Sequence, residues 1–230
     1  MAESSIKNKQ CIKILCLAPK LFGGGAESHL YCLLKELAQN TNYEFVVVLT
    51  NSNKEKQSSF SNIKVVTLNN EYKSNLPFSK FYQTRRALIK YIQIEKPDII
   101  YSILDKTNIL ALTLPKEVLL KIRLICSVQN PLSFKFLIYR EWRENILTIL
   151  YRFIYRLRKN YIYALIAPTA GLLNERRSIH HNEKIFYQQI ANCTQQISDI
   201  DQSTLLSNNI IFIFTLLKQK NFHLSIKIFS

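Results

Sequence analysis

A chain of 230 residues, 47% hydrophobic and 20% charged, with only 4 Gly and 6 Pro to interrupt regular structure, has the composition of a folded globular protein and excludes extended disorder. Its 31 Lys and Arg against 16 Asp and Glu give a formal net charge of +15, so the surface favours a polyanion: nucleic acid, anionic lipid or a phosphorylated substrate. Cys11, Cys16, Cys32, Cys126 and Cys193 form no C-x-x-C pair and fit a reducing cytoplasm, and no apolar run approaches the roughly 18 to 20 residues that span a bilayer or has the form of a signal peptide.

Residues 1–10 are polar and read as a flexible N-terminus. Cys11 to Ala18, interrupted only by Lys13, reads as a buried strand, and Phe22-Gly23-Gly24-Gly25 follows as a tight loop. Ala26, Leu30, Leu33, Leu34 and Leu37 then recur with the period of one helix face. Glu44 to Thr50 (EFVVVLT) and Ile63 to Leu68 (IKVVTL) read as strands separated by a polar connector. A helix from about Pro77 to Glu95 places Phe78, Phe81, Leu88, Ile89 and Ile92 on its inner face and is stopped by Pro97. Strands follow at Asp98 to Leu104, Ile122 to Val128 and Ile162 to Ala167. Continuous apolar strands alternating with helices predict an α/β fold, a doubly wound parallel sheet of Rossmann-like type, over 11–190. The polar segment 191–209 reads as a linker, and 210–230 as the first strand and helix of a second domain, a stump too small to bury a core alone.

Glycines after a first strand let backbone N–H groups approach a phosphate at the positive end of the next helix, and Gly23, Gly24 and Gly25 are so placed. A dinucleotide site would need a third glycine where Ser28 stands and an acid where Asn51 stands, which disfavours a nicotinamide or flavin cofactor. A loop that uses glycine merely to turn fits equally well.

Further along, Lys96-Pro97-Asp98-Ile99-Ile100-Tyr101-Ser102 leads into the fourth strand, Val128-Gln129-Asn130-Pro131 forms the turn after the fifth, and Ala167-Pro168-Thr169-Ala170-Gly171-Leu172-Leu173 the turn after the sixth. Leu216-Leu217-Lys218-Gln219-Lys220-Asn221-Phe222 comes late in the chain. With the opening Leu21-Phe22-Gly23-Gly24-Gly25-Ala26-Glu27 and its leucine-rich helix, these five motifs in this order resemble glycosyltransferase family 4, of the GT-B fold. The resemblance covers nearly the whole chain but the first half of a usual member: the acceptor-binding domain and the start of the donor-binding domain.

The resemblance implies transfer, with retention, of a sugar from a nucleotide diphosphate sugar to a polysaccharide, lipopolysaccharide or lipid-linked acceptor. No metal and no cofactor beyond the donor substrate are implied. Gly23, Gly24, Gly25, Glu27 and Asn130 would face substrate, and Lys220 matches the lysine of the diphosphate clamp. Gln129 takes the catalytic position usually held by histidine, and an amide cannot exchange a proton at neutral pH. The clamp arginine falls on Thr215, and the donor-domain carboxylate pair has no counterpart; Glu36 with Glu44 and Glu175 with Glu183 share its spacing by coincidence. These departures predict a truncated chain, inactive alone or dependent on a separately encoded donor domain.

Lys135 to Tyr161, read as a helix, aligns Trp142, Ile146, Ile149, Phe153 and Leu157 in one stripe, with Arg152, Arg156 and Lys159 along another side. Such a helix suits an anionic membrane surface, as an acceptor- or membrane-binding module on the cytoplasmic face would need, and equally an ordinary core helix with a solvated basic face. Without a nucleic-acid motif, the basic charge gives nucleic acid little support as a partner. His29, His180, His181 and His223 lack partners at metal-ligand spacing, so no metal site is predicted, and His180-His181 reads as an exposed helix end. Ser28 and Ser102 lie outside any nucleophile elbow.

Overall fold

The computed structural model describes residues 11–21, 24–51, 63–68, 77–132, 142–180 and 182–192, with the side chains of 77, 78 and 142–145 left undescribed. The predicted flexible terminus 1–10, Gly23, the stump 210–230 with Lys220, and all but the first two residues of the linker 191–209 lie outside the described residues.

The strands are β1 (Ile12–Ala18), β2 (Tyr43–Leu49), β3 (Lys64–Thr67), β4 (Ile99–Ile103), β5 (Arg123–Ser127), β6 (Ile162–Ala167) and β7 (Phe186–Gln189). The helices are α1 (Gly25–Leu37), α2 (Pro77–Glu95), α3 (Asp105–Leu112), α4 (Lys116–Leu119), α5 (Trp142–Arg158) and α6 (Ala170–His180), with a 3-10 turn at Lys159–Tyr161. The strands pair in the order β3-β2-β1-β4-β5-β6-β7, and every pairing is parallel. This is the doubly wound sheet that the alternating apolar runs predict.

Right-handed crossovers place connections that step in opposite directions along the sheet on opposite faces. The step from β1 to β2 puts α1 on one face, where Leu30 and Leu34 pack on Cys16, Phe45, Val47 and Ile103. Steps in the other direction put α2, α3, α5 and α6 on the second face, where Leu88, Ile92, Ile109, Tyr155 and Leu173 pack on Leu15, Leu17, Val46, Ile100 and Leu165.

Pro77 opens α2, and the helix ends where Lys96 takes a positive φ of 47° just before Pro97. Leu88 and Ile92 are buried as predicted, but Phe81 is 38% exposed. At the C-terminal end of α2, Glu95 accepts from Lys13 Nζ at 2.9 Å and from Lys64, which together hold its carboxyl down at about 2.

Candidate functional site at the strand C-terminal edge

In an open parallel sheet the crevice for ligands lies beyond the strand C-termini where the strand order reverses, here between β1 and β4. Three connections meet along that edge: the glycine loop after β1, the junction of β4 with α3, and the turn after β5.

Gly24 is the N-cap of α1, with extended backbone, and its carbonyl receives the Ser28 N–H at 3.0 Å. Glu27 stands in the first turn, buried, its carboxylate folded back so that a Cβ on Gly24 would lie 2.6 Å from Oε2. A carboxylate there is favoured by the helix dipole. A Cβ on Gly25 would meet nothing within 4 Å, so this glycine faces open space.

At the end of β4, Leu104 adopts φ 76°, ψ 150°, a conformation that costs a branched side chain about 1–3 kcal/mol. It is held by its N–H donating to Ser127 O on β5 at 3.0 Å and by its carbonyl accepting from Asn108 N at 3.0 Å. Thr107 Oγ1 donates to the carbonyls of Ile103 and Leu104, and Asn108 Nδ2 to Ser127 O. The next residue, Asp105, is buried.

Arg176, fully buried on α6, reaches across to this junction. Its Nη2 donates to Asp105 Oδ1 and to the Asn130 carbonyl, both at 3.0 Å, and its guanidinium lies 5.2 Å from the centroid of the Tyr155 ring. Tyr155 Oη donates to the same Asp105 oxygen at 3.1 Å. Burial, then the Asp105 charge, push the Tyr155 phenol well above its usual range, so it stays a donor. The neighbouring Glu175 accepts from Leu132 N–H at 3.0 Å. Two adjacent residues of α6 therefore fix both ends of the 130–132 turn. Gln129 is tied as well, its Nε2 donating to Ser127 Oγ at 3.1 Å and its Oε1 accepting from Asn192 Nδ2 at 2.9 Å.

The comparisons with known proteins fit this geometry. The family model described as Glycosyltransferase Family 4 matches residues 23–185, from the glycine loop to the lead-in of β7 and well over half of the chain. The chain belongs to glycosyltransferase family 4. Sucrose-phosphate synthase from Thermosynechococcus elongatus superposes at a TM-score of 0.59 with 9% identity, over 77% of this chain and 48% of that one. Phytolacca americana UGT2, complexed with UDP-2fluoro-glucose and pterostilbene, gives 0.55 with 10% identity over 81% and 55%. The apo lipopolysaccharide outer core galactosyltransferase WaaB gives 0.54 with 14% identity over 76% and 44%. These likenesses show the fold, one Rossmann-like lobe of a GT-B glycosyltransferase, and the chain spans about half the length of these three proteins. No curated protein sequence matches it.

Of the residues predicted for a family 4 site, Gly24, Gly25 and Glu27 stand on the β1 connection and Gln129 and Asn130 on the β5 connection, along one edge of the sheet. Sequence reasoning missed Asp105, Tyr155, Glu175 and Arg176. In the sequence Glu175 stands out only by its pairing with Glu183, whose family-like spacing is a coincidence. Among the described residues no group of His, Cys, Asp and Glu could hold a metal, and no helix is long and apolar enough to cross a membrane.

Helix α5 carries the predicted stripe, and the stripe faces outward. Ile146, Ile149, Phe153 and Leu157 are 53–63% exposed, while Thr148 and Tyr155 are buried and Tyr151 and Ile154 partly buried. Arg156 is exposed, Arg152 and Lys159 are half-buried, and the Trp142 side chain is outside the described residues. His180 corrects the expectation of an exposed helix end: it is fully buried, its ring 5.2 Å from that of Tyr155 and 6.5 Å from that of Tyr187. Desolvation, reinforced by Arg176 and Lys159, lowers its pKa to about 3, so it is neutral. His181 is outside the described residues.

Proposed function

We propose that this lobe binds the acceptor in a retaining transfer of a sugar from a nucleotide diphosphate sugar to a glycan, lipopolysaccharide or lipid-linked acceptor. The observation that carries the reading is the family match beginning at the glycine loop, together with the braced 130–132 turn on the same sheet edge. The Gly24–Gly25 backbone approaches the donor, and the Gln129–Asn130 turn presents amide groups to acceptor hydroxyls. Since Gln129 can neither take nor give a proton, its role is orientation rather than proton transfer. The donor is held by a second lobe that supplies the diphosphate clamp and the carboxylates, Lys220 being the clamp residue at the start of that lobe. The test is transfer of labelled sugar from candidate nucleotide sugars into a membrane or glycan fraction, with a family 4 donor lobe supplied in trans. Absence of transfer with every donor sinks the reading.

The outward stripe of α5 favours a second reading, compatible with the first, in which this lobe docks on the cytoplasmic face of an anionic membrane. Ile146, Ile149, Phe153 and Leu157 enter the headgroup boundary, and Arg152, Arg156 and Lys159 supply charge beside them. Cosedimentation with phosphatidylglycerol vesicles tests it; equal binding by the chain and by a Phe153→Glu variant sinks it.

A further inference from the structure

The opposite edge of the sheet holds a second concavity. A cavity of about 620 Å³ opens at the N-terminal ends of β5 and β6, lined by Arg123 and its apolar neighbours before β5, by the residues from Lys159 to Tyr163, and by Asn182 and Lys184. In a parallel sheet this is the far side from the glycine loop and the 130–132 turn, so the cavity is separate from the site described above.

Its chemistry is one-sided. Arg123, Lys159 and Lys184 line it, and no carboxylate does. Among the described residues none of these three cations forms an ion pair with an acid. Arg123 and Lys184, both exposed, and the half-buried Lys159 border one concave space, where their like charges favour an anion. One of the cations is also partly organised in advance: the Arg123 guanidinium rests 5.4 Å from the centroid of the Tyr163 ring. Asn182 Nδ2 donates to Asn160 Oδ1 at 3.3 Å, and the Lys184 N–H donates to Asn182 Oδ1 at 3.1 Å, which ties the third segment to the second. Amide and phenol groups beside the cations suit the hydroxyls of a glycerol or sugar attached to a charged group. The volume accommodates a phosphate with such a substituent.

The geometry points to an anion-binding site here, taking a phosphate group that carries a polyol. Arg123 supplies the forked donor, Lys159 and Lys184 the flanking charge. Two sources share this chemistry, a soluble phosphorylated polyol and the headgroup of an anionic lipid. The site does not depend on the acceptor reading, and it shares only Lys159 with the membrane-docking reading of α5.

The test uses the full 230-residue chain labelled with 3-fluorotyrosine, the Tyr161 and Tyr163 resonances being assigned through Tyr161→Phe and Tyr163→Phe. Glycerol 1-phosphate, inorganic phosphate, and vesicles of phosphatidylcholine with phosphatidic acid are titrated in turn. The expected result is a saturable shift of both resonances, at least tenfold weaker in Arg123→Gln/Lys159→Gln/Lys184→Gln. Because Lys184 is exposed, the single Lys184→Gln variant keeps the fold and should weaken binding severalfold on its own. Shifts from the soluble phosphates support the site with a soluble source; shifts from vesicles alone support it with a lipid source. If nothing moves these resonances, or if a folded triple variant responds as the original chain does, the site does not exist. Vesicle binding lost in Phe153→Glu while the glycerol 1-phosphate shift persists would assign the failure to the stripe and leave this site standing.

Discussion

Arg176 and Asp105 stand 71 residues apart in sequence and form a buried ion pair, Nη2 to Oδ1 at 3.0 Å, with side-chain exposures of 0% and 6%. The pair joins the strained β4–α3 junction to the 130–132 turn through the same guanidinium nitrogen, which also binds the Asn130 carbonyl.

Removing one partner of a buried pair strands the other charge. Arg176→Met should destabilise the chain by about 3–5 kcal/mol in urea unfolding, whereas Arg176→Met combined with Asp105→Leu should recover much of that loss. A loss under about 1 kcal/mol in the single variant would mean that water reaches Asp105.

Glu175 holds the far end of the same turn by its bond from Leu132 N–H. Glu175→Ala should cost about 1–2 kcal/mol and speed hydrogen exchange at the Leu132 amide, with little change in the α1 amides. Unchanged exchange at Leu132 would remove the turn-bracing role.

His180 carries a pH dependence whose sign is fixed by its lowered pKa of about 3. Both folded and unfolded chains hold it neutral above about 6.5, so its contribution is complete there. Below that the unfolded chain binds a proton that the folded chain refuses, and stability falls until the pH nears 3. Between pH 7 and pH 5 the loss from this residue should be about 2 kcal/mol, above the range in which Glu95 begins to titrate. Urea midpoints should therefore drop over this interval in the original chain and drop less in His180→Phe, where the buried His29, its pKa also lowered by desolvation, leaves a residual slope.

Stability alone distinguishes an exposed α5 stripe from a core face, without any ligand. Phe153 is 57% exposed, so Phe153→Glu should change stability by no more than about 0.5 kcal/mol, where a buried phenylalanine would cost about 3–5 kcal/mol. The same substitution should abolish cosedimentation with anionic vesicles.

The sheet was legible because buried parallel strands are written as apolar runs: Tyr43–Leu49 and Ile162–Ala167 could hardly be anything else. Edge strand β7, with the sequence FYQQ, has one neighbour and no such run, and it went unread. Periodicity found two faces on α5 but could not say which one the core accepts. The more apolar face was the natural choice for burial. The core took the tyrosine face instead, because Tyr155 finds a buried acceptor in Asp105. The glycine loop and the Gln129–Asn130 turn were legible as local motifs, while Arg176 and Asp105 share no local pattern and meet only through the order of β4, β5 and β6. His180 was misread for a related reason: histidine at a helix end is usually solvated, and Tyr155 and Tyr187 enclose it from other elements.

Sugar transfer, measured with labelled nucleotide sugars and a membrane acceptor fraction, most directly tests the claim that this is the acceptor-side lobe of a family 4 glycosyltransferase. The account predicts no turnover by residues 1–230 alone, and turnover when a donor lobe of the family is added. That activity should fall at least tenfold in Glu175→Ala, whose turn is released while the sheet stays folded. Turnover by the chain alone at a rate that the added lobe does not change would contradict it.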